Sequence, residues 1–204
     1  MENLSLFDTS QPDIIEFFIN VRELLKACDN KSALGWKAVE LVKHLSSEPA
    51  ICEFVCELEF VPILAEYLHS QLESDRAVLL LSVLEVLTEG IVVNRTGYWL
   101  GNLLKYLTNA ILEKSDYTTP HLLAVLSNFC FENYVAINEL QRESRSEEML
   151  QYLVQLQTDN HVIQLHASQV IYCYIYFLNN NESYFLNSRW SLVYWRSAPL
   201  TKQC

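Results

Sequence analysis

Residues 121–140 read HLLAVLSNFCFENYVAINEL: an apolar run at helical spacing, a polar step, then a second short apolar stretch. That pattern predicts a helix, a turn and a short helix. It recurs. When AVELVKHLSSEPAI, LSVLEVLTEGIVV and LAVLSNFCFENYVAI are stacked, Val42, Leu84 and Leu126 fall in register at intervals of 42. Leu45, Leu87 and Phe129 continue the match, as do Ile51, Val93 and Val135. A fourth copy, SQVIYCYIYFLNNNE, places Ile171 45 residues after Leu126, and the three extra residues are assigned to a longer loop in the charged stretch 141–148. A fixed period of this length marks a supersecondary unit that buries its apolar face only by stacking on its neighbours.

Each unit reads as a long apolar helix, a polar turn, a short helix and a second long helix. Unit one is ALGWKAVELVKHL, AICEFVCEL and FVPILAEYLHSQL, with Pro62 suited to a helix start, where its missing N–H has no partner to lose. Unit two is DRAVLLLSVLEVL, a less regular IVVNRTGYW and LGNLLKYLTNAIL; unit three is TTPHLLAVLSNFC, YVAINEL and EEMLQYLVQLQ. The run before residues 131–133 stops because the helix must turn, and VAINEL makes the corner. The expected organisation is a capping helix in residues 1–31, repeats over 32–181 and an aromatic segment over 182–204.

Composition narrows the class. Half of the 204 residues are hydrophobic and 19% are charged, so the disorder signature of low hydrophobicity and high charge is missing. Four Gly and five Pro are too few to punctuate an all-β chain of short strands. The net charge of −11, with 14 Lys and Arg, argues against a sequence-independent grip on phosphates, so nucleic acid is not expected as a direct partner. No run of 18 apolar residues occurs, and MENLSLFDTSQPD lacks the basic flank and apolar core of a signal peptide. A soluble protein of the cytoplasm or nucleus, with no membrane partner, is expected. Cys28, Cys52, Cys56, Cys130, Cys173 and Cys204 sit mostly in apolar helical contexts and read as reduced, hydrophobe-like side chains. Cys52 and Cys56 have a zinc-compatible spacing, but no second Cys or His pair follows it. The N-x-S/T sequons at Asn3, Asn30, Asn94 and Asn181 read as chance.

Two strings carry a family resemblance. Leu126-Ser-Asn-Phe-Cys130 resembles the Leu-Ser-Asn-Leu-Ala core of armadillo repeats, and Phe60-Val-Pro-Ile-Leu-Ala-Glu-Tyr-Leu68 resembles their Ile-Pro-x-Leu-x-x-Leu-Leu helix. The resemblance covers residues 32 to 180 and implies an all-α, right-handed armadillo/HEAT-type α-solenoid of about four repeats. Where armadillo proteins that read basic peptides carry an Asn ladder, this chain has His44, Val86 and Asn128; where they carry Trp it has Glu40, Ser82 and Ala124. An importin-like ladder is therefore not implied. Within the armadillo class, the order and spacing of units two to four, over residues 122–178, resemble the N-terminal armadillo region of the cancerous-inhibitor-of-protein-phosphatase-2A family. That resemblance implies a dimeric scaffold that engages phosphatase regulatory subunits or DNA-damage adaptors during mitosis.

Catalytic patterns are sparse. Phosphate-binding glycine loops and the G-x-S-x-G elbow do not occur in the sequence. His161 and His166 stand five apart, on different faces of a helix, which is poor metal geometry. Cys130, His121 and Asn128 offer a nucleophile, a base and an orienter by type, but Cys130 points about 200° away from Asn128 on a helix. No enzyme activity, cofactor or metal is expected. In stacked repeats one helix of each unit lines a concave surface, the default binding site. Here the lining positions are Lys37, Glu40 and His44; Leu79, Ser82 and Val86; His121, Ala124 and Asn128; then His166, Gln169 and Cys173. This polar, nearly uncharged set suits an extended peptide or a partner helix and predicts a protein-protein adaptor. The second candidate surface is the C-terminal segment with Tyr184, Phe185, Trp190, Tyr194 and Trp195, residue types typical of interface anchors, whose alternatives are a cap, a homodimer contact or a partner contact. For a nucleic-acid-associated factor, the candidate basic residues are Arg142, Arg145, Arg189, Arg196 and Lys202, and they are scattered.

Overall fold

The computed structural model describes residues 11–29, 31–68, 74–89, 98–113 and 118–180. Over these residues the chain forms ten helices: α1 Pro12–Ala27, α2 Ala33–Leu45, α3 Pro49–Glu57, α4 Phe60–Leu68, α5 Ser74–Thr88, α6 Tyr98–Leu112, α7 Thr119–Cys130, α8 Tyr134–Arg142, α9 Ser146–Gln155 and α10 His161–Asn180. No strand occurs among the described residues. Helix starts follow local chemistry. Proline opens α1, α3 and α7, where an N–H has no intrahelical acceptor to lose. Pro62 lies in the first turn of α4, in keeping with the sequence. The Ser32 hydroxyl accepts from the Gly35 N–H at 3.3 Å, and the Asn133 side chain accepts from the Ala136 N–H at 3.2 Å, capping α2 and α8.

The short helices make the corners. Between α3 and α4 the chain turns through Glu59 (φ 61°), and between α7 and α8 through Glu132 (φ 49°), both in the left-handed region that ends a helix in one residue. Residues 131–133 are thus the stop, and α8 is the short helix anticipated from VAINEL. The register is not perfectly regular. The starts of α3 and α8 are 85 residues apart, one more than two periods of 42. That shift leaves Val135 exposed while Ile51 is buried; Ala136, Ile137 and Leu140 are the core face of α8. Val93 and the IVVNRTG stretch lie outside the described residues.

The charged stretch 141–148 is not a long loop. Helix α8 runs through Arg142, three residues turn, and α9 starts at Ser146. Charged side chains here point to water and pair along the helix surface, Arg142 with Glu139 and Arg145 Nε with Glu148 at 2.9 Å. Glu147 and Glu148 also suit the positive end of the α9 dipole.

The helices pack in two rows. In one, α2 packs on α5, α5 on α7 and α7 on α10; in the other, α1 packs on α4, α4 on α6 and α6 on α9. The rows join through α1 with α2, α6 with α7 and α9 with α10, an arrangement compatible with an α-solenoid. Their shared core holds the register residues Val42, Leu84 and Leu126, each fully buried, with Leu87 and Phe129 beside them. At the α1 end the Tyr67 hydroxyl donates to the carbonyls of Leu25 (2.8 Å) and Cys28 (3.1 Å), serving the C-terminal carbonyls of α1 that have no intrahelical donor. Trp36 stacks edge-on against Tyr67 at 5.8 Å, and the Arg76 guanidinium lies 5.3 Å from the Trp36 ring centre, tying α2 to α5. Gly35 permits the approach: a Cβ there would sit 3.0 Å from Cys28 Cβ and 3.1 Å from the Tyr67 oxygen. At the other end of α5, the thiols of Cys52 and Cys56 on α3 donate to the carbonyls of Val86 (3.5 Å) and Leu87 (3.1 Å). Cys28, Cys52, Cys130 and Cys173 are free thiols; Cys204 lies outside the described residues.

Candidate functional site

The predicted lining residues stand on α2, α5, α7 and α10, the four helices of one row. On α2, Lys37 and Glu40 form an exposed ion pair at 2.7 Å, and His44 is exposed in the last turn. On α5, the Ser82 hydroxyl donates to the Leu79 carbonyl of its own helix at 2.7 Å, while Leu79 and Val86 are half-buried against the core. Two clusters link successive helices. His121 Nδ1 lies 2.6 Å from Glu85 Oε2, with both side chains about one-third exposed, so Nδ1 carries the hydrogen facing the carboxylate. Asn128 donates to the Glu85 carbonyl at 3.2 Å and to Thr88 Oγ1 at 3.1 Å, and Thr88 in turn donates to the Leu84 carbonyl at 2.7 Å. One cluster thus binds α7 to the end of α5.

The next cluster binds α7 to α10. His166 Nδ1 lies 3.0 Å from Ser127 Oγ and 3.1 Å from Gln169 Oε1, and Ser127 donates its own hydrogen to the Ala124 carbonyl at 2.9 Å. The Gln169 oxygen only accepts, so Nδ1 carries the hydrogen that faces it. His121, Asn128, His166 and Gln169 therefore come together with neighbouring helices as predicted positions on one row. Ala124 does not belong to that surface, being buried, and Cys173 faces a different groove. Glu85, Thr88 and Ser127 are the residues that the sequence reading missed. For Glu85 and Ser127 a signal was present: Lys43, Glu85 and Ser127 stand 42 apart, one position before the His44, Val86 and Asn128 column. The face is consequently less neutral than expected, since Glu85 places a carboxylate in it.

Other candidate chemistry is dispersed. The Cys130 thiol is buried and burial pushes its pKa up, away from the reactive thiolate, while His121 and Asn128 are engaged with α5. Contact with Cys52 first, then burial, likewise raises the pKa of Cys56. Among the described residues no group of three or more His, Cys, Asp or Glu is placed to hold a metal ion. Arg142 and Arg145 of the proposed basic set pair with Glu139 and Glu148, and Arg145 also donates to Asn109 at 2.9 Å. Arg189, Arg196 and Lys202 lie outside the described residues, as do Tyr184, Phe185, Trp190, Tyr194 and Trp195.

A second concavity, about 530 Å³ in volume, lies between the α7–α8 turn and α10. Phe131, Tyr134, Tyr172 and Tyr176 line it and are each more than half exposed, whereas Tyr174 and Phe177 of the same aromatic run are buried. In the fourth repeat copy, SQVIYCYIYFLNNNE, the segment IYCYIYF has core packing as one role. Only one face of α10 takes that role.

Among the described residues no helix is long and apolar enough to cross a membrane. No curated protein and no solved structure matches the chain. Residues 1–172, from the N-terminus through α1 and beyond the midpoint of α10, match the family described as "CIP2A, N-terminal", and the chain belongs to that family.

Proposed function

We propose that this chain is a non-enzymatic protein-interaction scaffold, a right-handed armadillo-type solenoid of about four repeats over residues 32–181, with α1 as its N-terminal cap. Its row α2, α5, α7 and α10 receives an extended peptide or a partner helix. One observation carries the reading: α2, α7 and α10 of one row present His44, His121, Asn128, His166 and Gln169, and cross-helix hydrogen bonds hold His121 and Asn128 against α5 and His166 against α7. Prepositioned polar groups lose little conformational freedom on binding a peptide. Lys37 and Glu40 add an ion pair at the α2 end. Family membership supports a scaffold role, and with it the finer reading of a dimeric, phosphatase-regulating or mitotic and DNA-damage scaffold in the cytoplasm or nucleus. A direct nucleic-acid role has less support, because Arg142 and Arg145 are matched by carboxylates.

The test is selection of 15-residue peptides from a displayed random library on the full chain, followed by affinity measurement on His44→Glu and Gln169→Glu. Both positions are exposed, so melting temperature should not move. Selected peptides are expected to lose at least tenfold in affinity on one or both variants. Peptides that bind both variants as tightly as the parent chain would place the binding surface elsewhere.

A further inference from the structure

We infer that the partner peptide carries an arginine whose guanidinium seats where α5 meets α7, against Glu85, Asn128 and Ser82, a reading that rests on the scaffold function proposed above. Donors and acceptors at this step of the row are unevenly spent. Both hydrogens of the Asn128 amide nitrogen are used, on the Glu85 carbonyl at 3.2 Å and on Thr88 Oγ1 at 3.1 Å, which fixes the orientation of the amide and leaves Oδ1 to accept. The Ser82 hydroxyl gives its hydrogen to the Leu79 carbonyl at 2.7 Å and keeps its lone pairs. Glu85 turns Oε2 toward His121 at 2.6 Å, and its side chain is 34% exposed. Among the described residues the buried side-chain N and O atoms without a partner are Ser46 Oγ and Thr108 Oγ1, so Glu85 Oε1 and Asn128 Oδ1 face solvent.

Glu85, Asn128 and Ser82 therefore offer acceptors alone, and a ligand here must donate. A peptide backbone brings one N–H per residue, whereas a guanidinium brings five in one plane together with a full charge. Charge favours the same occupant. Among the described residues Glu85 forms no ion pair with a Lys or Arg, and the chain carries a net charge of −11. Glu85 also stands in the last turn of α5, at the negative end of the helix dipole. Leu79 and Val86, one turn to either side of Ser82 on the same face, are half-buried and give the arginine stem an apolar bed. A lysine ammonium is a compact, strongly hydrated point charge and spans separated acceptors less well.

The experiment uses peptides selected on the full chain, which are expected to share an arginine at one position. Replacing that arginine with citrulline keeps its shape and removes its charge, and is expected to cost about tenfold or more in affinity on the unmodified chain. Lysine in its place is expected to cost several-fold. Glu85→Gln keeps an oxygen for the His121 hydrogen and removes the charge; it is expected to weaken the arginine peptide about tenfold and the citrulline peptide by less than about twofold. Peptides that respond to His44→Glu or Gln169→Glu but share no arginine, or that bind as tightly with citrulline or lysine, overturn the inference and leave the scaffold reading standing. Equal losses of both peptides on Glu85→Gln also overturn it, since the carboxylate then acts on the shape of the row and not on the ligand's charge. A library that yields no peptide dependent on the row removes the scaffold reading and this inference together. The citrulline comparison is made on the unmodified chain, so it decides the matter even where Glu85→Gln disturbs folding.

Discussion

Replacing Tyr67 with Phe removes one oxygen and leaves the ring that packs on Trp36. The hydroxyl serves two α1 carbonyls, at Leu25 and Cys28, from a side chain that is only 6% exposed. Loss of a buried hydrogen bond, with acceptors left short of a donor, costs about 1–2 kcal/mol. For a chain of this size that is a fall in melting temperature of about 2–8 °C. Gly35→Ala adds a second arm, because its Cβ would press on the same oxygen and on Cys28 Cβ. Crowding of that kind costs roughly 1–3 kcal/mol, offset by roughly 0.5–1 kcal/mol gained from replacing glycine in a helix. With the oxygen gone, one of the two close approaches disappears, so Gly35→Ala should cost less in the Tyr67→Phe background, by about 0.5 kcal/mol or more. Urea titration of the four proteins reads this directly. The Tyr67 hydroxyl is also pushed up to about 12, chiefly by burial and then by Cys28 and Asp29. An unfolded tyrosine ionises near pH 10, so from about pH 10 to 12 the unfolded state holds fewer protons and stability falls as pH rises. Tyr67→Phe should lessen that alkaline decline without abolishing it, because Tyr174, also raised to about 12, and Tyr106, Cys56, Cys130 and Cys173, all raised, contribute with the same sign. Strict additivity within about 0.3 kcal/mol, together with an unchanged alkaline limb, would refute the helix-clamp account.

Asn128→Ala removes both cross-helix donations to α5 and should cost about 1–2 kcal/mol by urea titration, whereas Gln169→Ala, on an exposed position of α10, should stay within about 0.5 kcal/mol. Glu59→Gly relieves a left-handed residue and is expected to raise stability by about 0.5–1 kcal/mol; a loss would mean that the Glu59 side chain contributes more than its backbone strain costs. Cys56 and Cys130, both buried with raised pKa values, should resist maleimide at neutral pH until the protein unfolds. Rapid native-state labelling of Cys130 would reopen the nucleophile reading.

Much of the architecture was legible in the sequence because its signals are local. Proline and Ser/Asn caps mark helix starts, and Val42, Leu84 and Leu126 repeat at 42 because each helix in the row buries the same face. The loop assigned to 141–148 failed for a physical reason: high charge is compatible with a helix whose carboxylates and guanidinium groups pair at i, i+3. The site was legible by column but not by partner. Glu85 stands in a 42-residue column with Lys43 and Ser127, but a column gives position only and does not say that its carboxylate reaches across to His121 on another helix. The exposure of Tyr172 and Tyr176 was not legible for a similar reason, since composition cannot say which face of a tyrosine-rich helix meets a neighbour.

The two-row stack has a kinetic consequence. Substantial packing joins each helix to those nearby in the chain, and the polar links span about one repeat, from 36 residues between Glu85 and His121 to 43 between Glu85 and Asn128. Loop closure over such intervals is repeated from unit to unit, so folding can nucleate in any well-packed pair and spread outward. The middle pair, α5 and α7, is flanked on both sides and should be the last to open. Hydrogen exchange should then show protection that peaks there and decays toward α1 and α10, a gradient of local opening in place of one all-or-none transition.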